Sequence, residues 1–186
     1  SGLLRNSDMI MYDRHSHSWW QQFTGQGIVG THTGEKLKRI PARFVSYQQF
    51  VNRYPQGKVL VPTNPKARKY GRNPYVDYDR TGRPFNVFVK VPKGFRRMER
   101  VVVVGDTAWR MRSLAKAKTL EQDGLRFSWQ KGQASALDDA KISRGRDVGS
   151  MIVERQDADG HWHLVNYDVV FAFVFAAFKP DGKWHR

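Results

Sequence analysis

Short alternating runs, each broken by turn residues, set the pattern of the chain. Residues 8–14 alternate between apolar and polar side chains and predict a strand. The polar turn His15-Ser16-His17-Ser18 follows, and residues 19–23 read as the returning strand of a hairpin. Gly25, Gly27 and Gly30 punctuate a further short strand around Ile28-Val29. Ser46 suits the N-cap of a helix over residues 47–54, with Tyr47, Phe50, Val51 and Tyr54 at helical spacing. Pro55 ends that helix, and residues 58–61 resume as a strand.

Residues 62–84 differ in kind. Pro62, Asn64-Pro65, Gly71, Asn73-Pro74, Gly82 and Pro84 interrupt any regular element, so a long irregular loop is expected. Strands are then predicted over 85–91, 101–104 and 107–112, the last two joined by the turn Gly105-Asp106. Leu, Ala and Lys content favours helix over 113–121. Strands follow at 125–130 and 134–137, and a hairpin joins 148–155 to 161–165 across Asp157-Ala158-Asp159-Gly160. Asp168 is placed to cap a last helix through Phe178, closed by Pro180. That helix is apolar all round, which implies burial.

The order of elements repeats. An early hairpin begins Met9-Ile10-Met11-Tyr12-Asp13-Arg14 and precedes an aromatic helix ending Pro55-Gln56-Gly57-Lys58. A late hairpin begins Met151-Ile152-Val153-Glu154-Arg155 and precedes an aromatic helix ending Pro180-Asp181-Gly182-Lys183. The fold expected is α+β and β-rich, with antiparallel hairpins, two or three short helices and a degenerate internal duplication. Residues 1–95 form the remainder of a first repeat and residues 96–186 a second, packed as one globular unit.

Composition narrows the function. Of 186 residues, 40% are hydrophobic and 13% aromatic, enough to build a folded core. The longest apolar run, residues 169–178, falls well short of the roughly 20 needed to cross a bilayer. The formal net charge is +15. From Arg14 through Val76 the sole acid is Glu35, against 11 basic residues. Such a field raises on-rates with anionic partners: nucleic acid, anionic lipid, acidic glycan or acidic protein. Cysteine is absent, which removes disulfides, zinc–thiolate sites and thiol nucleophiles. The chain opens Ser1-Gly2, with no initiator Met or signal peptide, as expected of a processed or partial chain.

Candidate chemistry is sparse. His15-x-His17 and His161-x-His163 have metal-like spacing, and Met9 and Met11 would suit a soft ion. Exposed turn histidines are the plainer explanation, so no metal or cofactor is expected. Asp77 with Asp79, Asp138 with Asp139, and Asp157 with Asp159 sit where Asp favours turns. Asn6, Asp8 and Asp13 form the best polar cluster, again with a turn role as the simpler account. Arg72, Arg80 and Arg83 with Tyr75 are candidates for binding an anion, against the plainer role of tying down the irregular loop. No nucleophile elbow, phosphate-binding loop, dinucleotide fingerprint or nucleic-acid motif occurs.

Five segments resemble bacterial domain-of-unknown-function family 3179. They are residues 2–14 running on to Gly25, Tyr70-Gly71-Arg72-Asn73-Pro74-Tyr75 with Tyr78-Asp79, Met98-Glu99-Arg100-Val101-Val102, Ser135-Ala136-Leu137-Asp138, and Gly145-Arg146-Asp147-Val148-Gly149. The resemblance implies an exported bacterial protein, periplasmic or extracellular. Relatives are usually longer, with a Cys-Pro-x-Cys-type region in front, so a redox or metal role resting on those cysteines does not carry over. The hairpin tip, commonly Gln-Thr-Glu-like in the family, is here His15-Ser16-His17. The function expected is a non-catalytic cationic binding or accessory module for an acidic macromolecule or a partner subunit. An enzyme acting on an anionic substrate near Asp8 and Arg72 is the first alternative, and a nucleic-acid-binding protein the second.

Overall fold

The protein is seen in a computed structural model that describes residues 2–85 and 89–186. In chain order its first strands are β1 (Leu4–Arg5), β2 (Asp8–Tyr12), β3 (Trp19–Gln21) and β4 (Gly27–Val29), followed by helix α1 (Tyr47–Arg53). The middle holds β5 (Arg100–Val104), β6 (Thr107–Arg110), α2 (Met111–Ala117), β7 (Thr119–Gln122) and β8 (Leu125–Gln130). Last come β9 (Ser150–Gln156), β10 (Trp162–Leu164), β11 (Asp168–Phe171), α3 (Ala172–Phe178) and β12 (Lys183–His185). The protein is therefore β-rich α+β, with antiparallel pairing dominant and three seven-residue helices. No described helix is long and apolar enough to cross a membrane.

Contacts divide the chain into two compact units, each assembled from separated stretches. One comprises Ser1–Ala42, Gly82–Ser113 and Leu164–Arg186; the other comprises Arg43–Thr81 and Leu114–His163.

The first unit holds two four-stranded sheets, ordered β1-β2-β3-β4 and β11-β5-β6-β12. In β5, Val101, Val102 and Val103 are almost wholly buried. The β5–β6 hairpin pairs Val104 with Thr107 across Gly105-Asp106, and β11 and β12 flank it, β11 antiparallel to β5 and β12 parallel to β6. Helix α3 completes this arrangement: Ala172 and Phe175 pack with Val101, Val103, Ala108 and Phe95, and Val170 and Trp184 close the sides. Full burial of each large apolar side chain there is worth about 1.5–3 kcal/mol.

The second unit is built on the sheet β10-β9-β8-β7. Asp123 and Gly124, with φ of 53° and 71°, form the two-residue turn between β7 and β8. Phe127, Met151 and Val153 supply its buried apolar positions.

Several predicted elements differ. The helix expected over 113–121 stops at Ala117, because Lys118 turns left-handed (φ 67°) and the Asp123-Gly124 turn requires a strand before it. Asp168 caps no helix. It begins β11, whose β-branched Val169 and Val170 pair with Val102 and Val101, and α3 starts after Phe171. Residues 134–137 supply a single bridge, Ala134 to Asp147. The strand expected over 85–91 falls partly outside the described residues, and Val89–Val91 lie in no strand. Residues 58–61 also lie in no strand.

The two Pro-x-Gly-Lys helix ends share one geometry. Tyr54 (φ −130°, ψ 74°) and Lys179 (φ −136°, ψ 66°) donate their amides to Phe50 and Phe175, each at 2.8 Å. Three residues on, Gly57 and Gly182 donate to the Tyr54 and Lys179 carbonyls at 2.8 and 3.0 Å. A Cβ at Gly57 would strike the Phe50 ring, and one at Gly182 the Phe175 ring, so both turns require glycine for close approach.

Candidate functional site

Asn6 and Ser7, with φ of 52° and 59°, make the two-residue turn that sets Arg5 opposite Asp8. That geometry matches a type I′ hairpin, which Asn tolerates at its first position. Asp8 then points across the sheet: its carboxylate accepts from Gln21 Nε2 at 2.6 Å and from the Phe23 amide at 3.1 Å. Burial raises its pKa above the usual 3.8, opposed by these bonds and reinforced by the nearby Asp168 charge. Asp168 itself pairs with Arg39 at 2.7 Å. Asp8 thus fixes the path of β3 into the following turn.

Asp13 organises the β2–β3 tip. It accepts the Ser16 hydroxyl and the amides of His15 (2.9 Å) and Ser16 (3.2 Å), and these bonds hold its pKa below 3.8. His17 bonds Tyr12 through Nδ1, while His15 lies exposed at the tip. Deeper in the sheet, Trp20 is buried and stacks on His32 at 5.7 Å, while Trp19 lies edge-on to Tyr12. The second histidine pair flanks a carboxylate. Asp157 accepts from the His161 amide at 2.8 Å, the Asp159 amide at 3.0 Å and His163 Nε2 at 2.6 Å. Ligand atoms of Asp157, Asp159 and His161 come within 4.8 Å of one another in this exposed turn. The bonds account for all three residues as turn-formers.

The irregular loop owes its order to polar bonds. Its 70–80 stretch runs beside residues 137–142, with Asn73 N donating to Ala140 O (3.0 Å), Asp77 N to Asp138 O (2.7 Å), Asp79 N to Leu137 O (3.2 Å) and Ile142 N to Gly71 O (2.9 Å). Three buried polar residues lock this seam. Asn73 Oδ1 accepts from the Tyr75 amide and its Nδ2 donates to Asp139 O. Asp79 accepts the Ser135 hydroxyl at 2.6 Å and faces Arg146 at 3.2 Å. Asp138 accepts from Arg80 Nε and from the Arg146 amide (2.7 Å), which hold its pKa below 3.8.

Two glycines complete the construction: a Cβ at Gly145 would strike the Ser135 carbonyl, and one at Gly149 the Trp129 ring. Asp147 between them accepts from the amides of Gly132, Gln133 and Gly149. Arg80 is therefore committed to Asp138; Arg72 and Tyr75 lie exposed on the loop, and Arg83 lies exposed in the first unit. Asp8 belongs to the first unit and Arg72 to the second, and neither unit alone brings them together. Sequence reasoning did not find the Asp79–Ser135–Arg146–Asp138 network, although each member lies in a segment that carries the family resemblance.

Residues 43–76 carry the opposite character. They hold seven basic residues and no acid, and every residue from Asn52 through Arg72 is exposed. Helix α1 buries none of its residues. It is capped by Ser46 and Gln49 in a reciprocal box, and Gln49 also bonds the Ser150 hydroxyl and the Lys131 carbonyl, both at 2.9 Å. Arg43 and Arg53 both donate to the Tyr54 hydroxyl, at 3.0 and 3.3 Å, and hold its pKa below 10.0, the Arg53 bond most of all. Two adjoining shallow grooves, of about 720 and 440 Å³, share Phe50 and Lys58. Arg43, Val45, Tyr47, Tyr54, Val59 and Leu60 are among the other residues that line them.

Fold and geometry define a β-rich protein whose acids brace its turns and whose exposed middle segment is cationic and partly apolar. The sequence model of the family described as "Protein of unknown function (DUF3179)" matches residues 1–182, and the chain belongs to that family. No curated protein and no solved structure matches it.

Proposed function

We propose that the protein is a non-catalytic, exported binding or accessory module that engages an acidic macromolecule or partner subunit through its cationic surface. The observation that carries this reading is the division of labour between charges. Asp8, Asp13, Asp79, Asp138, Asp147 and Asp157 are committed to backbone amides, hydroxyls or arginines that build turns and seams. The cations of residues 43–76 instead stand exposed or half-buried with no acid among them. A carboxyl serves as general acid or base only within reach of a substrate, and these six are turned to the fold. Export rests on the family resemblance.

Retention of the full chain on immobilised polyglutamate, against polylysine as control, tests the reading. We expect retention at low ionic strength and steep elution as salt rises. Passage without retention would overturn it.

A further inference from the structure

We propose that residues 43–60 form an open clasp for an apolar β-hairpin supplied in trans by a partner protein, a statement that rests on the binding role just given. The first unit shows what such a clasp holds. There β11, α3 and β12 surround the β5–β6 hairpin, which sits between β11 and β12 and over Phe175. Helix α1 has the same length as α3, the same extended residue before it and the same glycine-closed end. A shift of 125 residues superposes the two helices and their glycine-closed ends.

Under that shift, Val45, Tyr47, Phe50 and Val59 take the places of Val170, Ala172, Phe175 and Trp184, the side chains that grip Val101, Val103 and Ala108. These same four residues line the grooves on α1. The flanks of the clasp, however, hold no strand among the described residues. Lys58, Val59 and Leu60 match Lys183, Trp184 and His185, which pair in parallel with β6. Residues 58–61 pair with no strand among the described residues, and Leu60 is 99% exposed. On the other flank Phe44, which matches strand residue Val169, is 72% exposed. A Lys-Val-Leu-Val run has strand propensity, and an unpaired one is a template for strand addition.

Charge specifies the occupant further. Where the first unit has Asp168, the clasp has Arg43, and where Lys179 reaches Asp106 at the hairpin tip, the clasp has Tyr54 held between Arg43 and Arg53. With Lys58, whose counterpart Lys183 pairs with Thr107, these cations fit a hairpin bearing acids at and beside its tip. Tyr47, Phe50 and Tyr54 beside these cations offer faces to bases as well, but the match of residues 58–60 to β12, which pairs with a hairpin strand, selects polypeptide.

The probe is a fluorescent cyclised peptide with the sequence of residues 100–110, carrying Thr107→Glu beside its own tip acid Asp106, and Arg100→Gln and Arg110→Gln to remove its end cations. Added to the full chain, it is expected to bind saturably and to slow amide exchange at residues 58–60. Val59→Asp and Phe50→Ala are each expected to weaken binding at least tenfold, whereas Lys66→Glu, outside the clasp, changes it less than twofold. Circular dichroism checks that each variant folds. Binding that Val59→Asp leaves unchanged, or no saturable binding at all, overturns the clasp. If polyglutamate still retains the chain in that case, the general cationic role survives. Sedimentation of the chain alone is expected to show monomer; a dimer dispersed by Val59→Asp would assign the clasp to a second copy and overturn the partner in trans.

Discussion

At the scale of single residues, Asp8 and Asp138 respond to acid with opposite signs. The bonds from Arg80 and the Arg146 amide keep Asp138 charged, so between its folded pKa and 3.8 the folded state holds fewer protons than the unfolded chain. Its contribution is present above 3.8 and is lost as pH falls through the folded value. Burial raises Asp8, so the folded state takes up that proton first. The cost of its charge is present above the folded value and is relieved as pH falls toward 3.8. Urea denaturation across pH 2–6 is expected to show a shallower acid loss for Asp138→Asn below about 3.8. Asp8→Asn changes the slope above that value, in the opposite direction. Equal profiles for both variants would contradict the assignments. Gly149 gives a sharper case: its φ of 69° and the Trp129 ring against it leave no room for a methyl. Gly149→Ala is expected to cost about 1–3 kcal/mol in the same measurement.

At the scale of elements, local chemistry and tertiary pairing decide different things. The Ser46 cap, the burial of α3 and the hairpin of residues 150–164 were all legible in the sequence, since each depends on a short pattern or a uniformly apolar run. The strand status of residues 58–61 was not. Lys-Val-Leu-Val reads as a strand on propensity, but a strand exists only with a partner, and the described residues supply none. The seam joining 70–80 to 137–142 was hidden for a related reason: about 60 residues of chain separate its sides. Asp79 and Asp138 each resembled an ordinary turn aspartate until Ser135, Arg80 and Arg146 converged on them.

Two element-scale predictions follow from turn and cap chemistry. Ser7 occupies a left-handed position at φ 59° that glycine adopts without strain, so Ser7→Gly should stabilise the β1–β2 hairpin by up to about 1 kcal/mol. Thermal melting checks it, and a lower Tm would argue against the turn assignment. Helix α1 buries no side chain and is tied to its unit through Gln49. Gln49→Ala is expected to cost about 1–2 kcal/mol and to speed amide exchange across Tyr47–Arg53 while leaving β8 and β9 protected.

At the scale of the whole molecule, net charge and paired charge make opposing demands on ionic strength. Residues of the first unit carry a formal +9 and those of the second +6, so like charges repel within each. Salt screens that repulsion over a Debye length of about 10 Å at 0.1 M, which favours the folded state. Salt also weakens exposed pairs such as Lys179–Asp106, but such pairs contribute only about 0–1 kcal/mol each. The Glu99–Arg110 pair, 5% and 9% exposed, is largely shielded from ions. The balance therefore favours stabilisation, and Tm is expected to rise between 20 and 300 mM sodium chloride, in the range where roughly one Debye length shrinks below the spacing of neighbouring surface charges. Replacing Lys66, Arg68 and Lys69 together by Gln should reduce the rise, because these three exposed cations carry part of the repulsion and make no packing contribution to lose. A Tm that falls with salt would mean that the ion pairs outweigh the net field.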